Sequence, residues 1–253
     1  MENNFNTQDQ LNDEIELLEL DEHLAAKTLK PKLSILQRFM SAITNPIALF
    51  EDVDRAPKVL MPMLVILILS SLITILNIDV LREAQRTAMI KAYMQQGLTV
   101  PSDGFDSLLK SMTLYTVAAA GITSVIALVI KGVVTQLISG FFSSEGSAKK
   151  IISSFLYAYI IVTIGTFIGA LLSKVTGIGL VTFSPAMILG MDQLGTPLYT
   201  VLSAFEIFTL WYLWLSAVAV KIIKGISFPK ALLCVLLPYI VAIVASVIMS
   251  NGF

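Results

Sequence analysis

The sequence predicts an all-α membrane protein: five transmembrane helices in a bundle, preceded by an N-terminal interfacial amphipathic helix. Three observations predict it. Of the 253 residues, 56% are hydrophobic and only 14% are charged. A soluble domain carries about 45–50% apolar and about 25% charged residues, so this chain is too poor in charge to cover a water-facing surface. The mean hydropathy of +0.81 points the same way. Finally, the apolar residues gather into five runs, each close to the about 20 residues a helix needs to cross a hydrocarbon core.

The chain opens with an acidic tail, residues 1–30. Its first 26 residues hold eight acids and no bases. Asn12–Ala26 has the composition of an acidic helix, and two readings stay open for it: a solvated tail, or a docking helix for a cytoplasmic partner. His23 stands there without a cysteine or second histidine, so it predicts no metal site. The tail is not a cleavable signal peptide, and the first span itself must target the chain.

Residues 31–57 form the second unit. Leu33, Leu36, Met40 and Ile43 recur at helical spacing, widened by Ile35 and Phe39, with Lys32, Gln37, Arg38 and Ser41 as polar neighbours. This pattern predicts a helix lying in the membrane interface. Asn45–Pro46 ends it, because the residue before proline disfavours the helical conformation.

The third unit, residues 58–250, holds the spans. Val59–Ile78 lies between Lys58 and Asp79, Ser111–Ile130 between Lys110 and Lys131, and Ile151–Ser173 between Lys150 and Lys174. Tyr199–Val220 is interrupted once by Glu206, and Ala231–Ser250 follows Lys230. Between spans one and two, Asp79–Gln96 reads as a helix stopped by Gly97. Val175–Met191 is also uncharged but contains Gly177, Gly179, Pro185 and Gly190. It reads as an apolar outer loop or a partly re-entrant hairpin, with a sixth span as the alternative.

Lysine and arginine near the span ends set the orientation. With the N-terminus inside, the inner flanks carry Arg38, Arg55, Lys58, Lys149, Lys150, Lys221, Lys224 and Lys230. The outer flanks carry Arg82, Arg86, Lys91, Lys110 and Lys174. The excess predicts a cytoplasmic N-terminus and an extracytoplasmic C-terminus in the cell membrane.

Several residues are candidates for function. An ionisable group at membrane depth is a functional candidate by default, which singles out Lys131 and Glu206. Lys131 is expected to snorkel to the inner headgroups, with Gly132–Phe142 continuing along the interface. Glu206 sits seven residues into the fourth span and is expected to meet Lys110 or Lys174, to reach the outer surface, or to serve a function. Gly165 and Gly169 form a small-xxx-small motif that admits a neighbouring helix closely. Pro238 should bend the fifth span, while Trp211, Tyr212 and Trp214 read as bundle packing.

Shifting the chain by 80 residues aligns Ser147-Ala-Lys-Lys150 with Ser227-Phe-Pro-Lys230, then Leu156 with Leu236, Tyr159 with Tyr239 and Ile160 with Ile240. Ser147 and Ser227 are placed to cap the helices they open, and Lys150 and Lys230 to hold the inner headgroup boundary. Such a repeat is parallel, as in some transporters and in duplicated hairpins.

These motifs carry a family resemblance. The amphipathic stretch ending Asn45-Pro46, Phe50, and the prolines Pro57 and Pro62 at the first span belong to it. So do Gln95-Gln96-Gly97, the Gly146–Lys150 hairpin entering Tyr157-Ala158-Tyr159, and the closing Ile226–Ala231 hairpin. Across roughly residues 30–250 the chain resembles bacterial members of the Yip (Ypt-interacting protein) family of multi-pass membrane proteins. The resemblance implies a five-span Yip-like domain with an inner N-terminus. Eukaryotic relatives bind Rab-type GTPases and carry an acidic-Leu-x-Gly-Pro signature before the first span. This chain contains no Gly-Pro, so GTPase binding is not carried over. Some bacterial relatives are thought to accompany ABC-type exporters.

No nucleophile–base set, phosphate-cradling loop or zinc ligand cluster is visible, so neither an enzyme nor a cofactor or metal is expected. The net charge of −1 gives no reason to expect a nucleic-acid partner. The expected role is a non-enzymatic membrane scaffold or accessory protein. Its partners would be the lipid bilayer, another membrane protein such as an exporter subunit, and a cytoplasmic partner for the acidic tail. The alternative is a small transporter using Glu206 and the parallel hairpin repeat.

Overall fold

The computed structural model describes residues 32–250, apart from residues 102, 180, 191 and 192. The acidic tail and His23 lie outside the described residues. Among these residues every regular element is helical, and no strand occurs.

Ser34 starts α1 (Ile35–Thr44) with a reciprocal capping box: its hydroxyl accepts from Gln37 N–H while the Gln37 side chain accepts from Ser34 N–H. Asn45 ends α1 and caps α2 (Pro46–Arg55), where its side chain accepts from Ala48 N–H and Pro46 takes the first-turn position that needs no donor. The first span, α3 (Leu60–Leu76), meets α4 (Ile78–Gln95) at a 73° bend. Helix α4 packs antiparallel against the start of α5 (Phe105–Gly140): Gln85 bonds to Thr113 and Thr116 at 2.8 Å each, and Tyr93 meets Phe105 edge-on. As expected, α4 stops at Gly97, whose φ of +66° allows the Leu98 N–H to reach back to the Tyr93 carbonyl.

At 36 residues, α5 is about 54 Å long, more than the hydrocarbon core of a bilayer requires. Helices α6 (Ala148–Ala158) and α7 (Ile160–Thr176) follow each other through Tyr159 as one apolar stretch of 29 residues. Between α7 and the next helix the described residues form no span, only loop and a short 3-10 turn, Pro185–Leu189. The chain then forms α8 (Pro197–Ser203), breaks at 204–206, and continues as α9 (Ile207–Lys224) and α10 (Phe228–Ser250). Among the described residues, four helices are long and apolar enough to cross a membrane, and five when α3 and α4 count as one broken span. The chain is a multi-pass membrane protein.

One end of the bundle, called the near end, holds α1, α2 and the turns before α6 and α10. The far end holds α4, the 177–196 loop and α8. The core is concentrated toward the near end. Leu49, Phe50 and Val53 of α2 pack into Phe155 and Leu156 of α6 and Leu215 and Ala219 of α9, all buried. Close backbone approach holds α3 on α5: a Cβ added to Gly121 would lie 2.4 Å from the Leu67 carbonyl oxygen.

The fourth span differs from the expected Tyr199–Val220, being split at the break before Glu206. Its tryptophans differ too. Tyr212 is buried, but Trp211 and Trp214 are exposed on the outer surface of the bundle. Helix α10 runs through Pro238 as one helix. Beyond Lys131, Gly132, Thr135 and Ser139 are buried within the bundle, so this stretch continues α5 inward instead of lying along the interface.

Candidate functional site

Three polar groups stand out in the apolar bundle. The first is at the near end and reverses the expected placement of Arg38. Its side chain is 0% exposed, whereas Leu36, on the opposite face of the same helix, is 70% exposed. Arg38 Nε donates to Asp52 Oδ2 at 2.9 Å, and Nη2 lies 2.9 Å from the same oxygen. Nη2 also donates to the carbonyls of Asp52 and Ala56 at the end of α2, a place that favours a cation. The guanidinium lies 5.5 Å from the centre of the Tyr157 ring. Asp52 in turn accepts the backbone N–H groups of Lys32 and Leu33. One ion pair therefore fastens the start of α1, the end of α2 and α6 together. Phe39 also turns inward, its ring 5.1 Å from that of Tyr157. Leu36, Met40, Ile43 and Ile47 remain exposed as an apolar stripe.

The serines and lysines of the aligned motif have the following partners. Ser147 stands at the N-cap of α6, but its hydroxyl makes no capping bond. Lys150 pairs with Asp54 at 2.8 Å, tying α6 to α2. Lys230 lies 5.8 Å from the Phe142 ring centre, and Ser227 contributes its carbonyl to the Ala231 N–H at the start of α10. The aligned motif residues thus meet unlike partners.

Lys131 is the second group. It does not snorkel away; its Nζ lies 5.9 Å from the centre of the buried Tyr212 ring, a cation–π contact between α5 and α9. Thr135, Phe155, Pro238 and Tyr239 close around it. The free space there is about 10 Å³, the size of a single water.

Glu206 is the third. It forms the N-cap of α9 rather than lying inside a continuous span. Its carboxylate accepts the N–H groups of Phe208 at 3.1 Å and Thr209 at 2.6 Å, and so meets the positive end of an 18-residue helix. Across the break, the Tyr239 hydroxyl donates to the Ala204 carbonyl at 2.6 Å. The Phe183 carbonyl in the far loop accepts from Ile207 N–H, and the Phe183 ring packs edge-on against Phe208. These bonds give partners to backbone groups that the break takes out of the helix ladder. Neither expected lysine reaches Glu206. Lys174 Nζ donates to the Leu76 carbonyl at 3.4 Å, and Lys110 makes no ion pair among the described residues.

Glu206 lines a far-end cavity of about 250 Å³ between α7, α9 and the 177–196 loop. Asn77, Thr166, Thr182, Phe183, Ser203 and Thr209 contribute to its wall. The two glycines of α7 let that wall close. A Cβ on Gly165 would lie 2.3 Å from the Phe208 ring, and one on Gly169 would lie 2.5 Å from the Val181 carbonyl oxygen. The motif thus admits an aromatic side chain and a loop, both from the same chain, rather than a second helix backbone.

Among the described residues, no group of three or more His, Cys, Asp or Glu side chains is placed to hold a metal ion. Cys234 is free and buried. Comparison with known proteins gives one result: the family model described as the Yip1 domain matches residues 40–249. No curated protein and no solved structure gives a match.

Proposed function

Because the chain belongs to the Yip1 domain family, we propose that it acts as a non-enzymatic accessory or scaffold protein in the cell membrane, working beside another membrane protein such as an ABC-type exporter subunit. The observation that carries this reading is the near-end module. Helices α1 and α2 are pinned to the bundle by Arg38–Asp52 and Lys150–Asp54. The same module presents the apolar stripe Leu36, Met40, Ile43 and Ile47 outward. A rigid module with an unpartnered apolar face suits a protein that contacts lipid and a neighbour rather than one that performs chemistry. The acidic tail, joined directly to this module, would engage a cytoplasmic partner.

The test is co-purification of the full chain from its native membrane in a mild detergent. A stoichiometric exporter subunit is the expected result, and the chain emerging alone after gentle crosslinking would remove the accessory reading.

On this proposal the near end faces the cytoplasm, as the lysine and arginine distribution favours. Reporters fused after Phe253 and inserted within residues 143–149 should then report opposite sides of the membrane. Both on one side would require a different number of spans.

A second reading, a small transporter, is favoured by the cavity that reaches Glu206. The tight packing around Lys131 and Tyr212, with about 10 Å³ of free space between them and their neighbours, weighs against it.

A further inference from the structure

We propose that the far-end cavity is a binding site for a small organic ammonium ion, with Glu206 as its counter-charge. The site does not depend on whether the chain is an accessory or moves solutes.

The charge balance comes first. The two N–H bonds from α9 use about half of the roughly four acceptor positions of a carboxylate. The helix end supplies only about half a unit of positive charge. No Lys or Arg pairs with Glu206 among the described residues, and no cationic side chain lines the cavity. A half-buried carboxylate therefore retains uncompensated negative charge, and a cation completes it.

The wall then selects among cations. Asn77, Thr166, Thr182, Ser203 and Thr209 supply oxygen acceptors beside Glu206. The Thr166 hydroxyl already donates to the Val162 carbonyl, which leaves its oxygen as an acceptor toward a ligand. Oxygen-rich lining suits an ammonium group, which is a donor only. Phe183 adds an aromatic ring to the wall, and such rings attract desolvated ammonium groups. A divalent metal ion fits poorly, because it demands several carboxylates or a tight octahedral oxygen shell and Glu206 is the sole acid in the wall. Size sets the limit. The cavity of about 250 Å³ has room for a small organic ligand rather than for a single water or a bare ion alone.

The test uses the full chain in a maltoside detergent, whose headgroup carries no ammonium. Methylammonium, tetramethylammonium and choline chlorides are titrated at constant ionic strength against sodium chloride, with thermal unfolding as the readout. At least one ammonium ion should raise the melting temperature saturably where sodium does not. Glu206→Gln keeps one of the two capping oxygens and removes the charge. It should weaken binding at least tenfold, each titration being read against that variant's own unliganded melting temperature. Thr166→Val should weaken binding several-fold. A parallel titration with a short-chain phosphatidylcholine separates the sources: binding tighter than choline assigns the site to a lipid headgroup, and weaker binding to a free amine. The proposal is overturned if no ammonium ion shifts the melting curve beyond the sodium control, if magnesium saturates the site instead, or if Glu206→Gln binds as tightly as the wild type. Should Glu206→Gln not fold, Thr166→Val and Phe183→Leu decide the matter, and unchanged affinity in both overturns it.

Discussion

Asp52→Ala is expected to destabilise the chain by about 3–5 kcal/mol, the largest effect of any single side chain at the near end. The magnitude comes from what the substitution leaves behind. Arg38 is fully buried, and its other contacts are two backbone carbonyls and the Tyr157 ring. Without the carboxylate it becomes an unneutralised cation in a core of Leu49, Phe50 and Phe155. The N–H groups of Lys32 and Leu33 lose their acceptor at the same time. For a domain of this size the cost corresponds to a fall in melting temperature on the order of 10 °C, read by thermal unfolding in detergent. The double substitution Arg38→Met with Asp52→Leu should recover much of the loss, because a buried ion pair exchanged for apolar groups of similar size is often near neutral. A double variant as unstable as the single one would mean that the pair contributes through geometry that apolar packing cannot replace. Asp54→Ala provides the contrast. Its partnership with Lys150 is about one-third exposed on both sides, and such pairs contribute at most about 1 kcal/mol.

Gly121→Val is the second large effect expected. The new Cβ would lie 2.4 Å from the Leu67 carbonyl oxygen and 2.8 Å from the Leu67 Cα. Both are backbone atoms of α3, so no rotamer change relieves the clash and the whole helix must move away from α5. Ordinary overpacking costs about 1–3 kcal/mol, and displacing a helix backbone belongs at or above the upper end. The measurement is again thermal unfolding, with Gly140→Ala as control. Gly140 lies on the same helix with nothing within 4 Å of an added Cβ. The control should be close to neutral, and equal losses in both variants would show that α5 tolerates no side chain for reasons unrelated to α3.

How far the fold could be read in advance depended on which signal each element carries. The spans were legible because charges bound the apolar runs: Lys58 precedes α3, and Lys150 and Lys174 lie within a turn or so of the ends of α6–α7. Bounding charges mislead when the charge itself is buried. Lys131 looks like the end of a span, yet α5 runs on to Gly140 because the Tyr212 ring gives the ammonium a partner inside the bundle. The break before α9 was invisible to hydropathy, since Ala204 and Phe205 are as apolar as their neighbours. Capping rules also miss it, because glutamate is not among the favoured N-cap residues. The cavity beside Glu206 depends on a loop folding back 20 residues away in sequence, which no local pattern encodes.

Arg38 shows a different limit. The stripe in α1 was visible as an interfacial face, but the pattern leaves its polar neighbours, Arg38 among them, to solvent. Next to a bilayer the solvent is partly lipid, so Leu36 and Met40 face out while Arg38 faces in. Asp52 lies on the following helix, and each residue alone reads as an ordinary surface charge. Their pairing follows from the α1–α2 turn at Asn45.

The seating of α2 on α9 has a consequence for how the protein is made. The two helices are packed against each other, yet α9 begins about 150 residues after α2 ends. At roughly 5–20 residues per second, a ribosome delivers α9 on the order of ten seconds or more after α2 has emerged. During that interval Leu49, Phe50 and Val53 lack the surface that finally covers them. The near end is thus completed only late in synthesis, and chains that stop before α9 are born with its apolar groove uncovered. That exposed groove is the feature by which membrane quality control could tell an unfinished chain from a complete one.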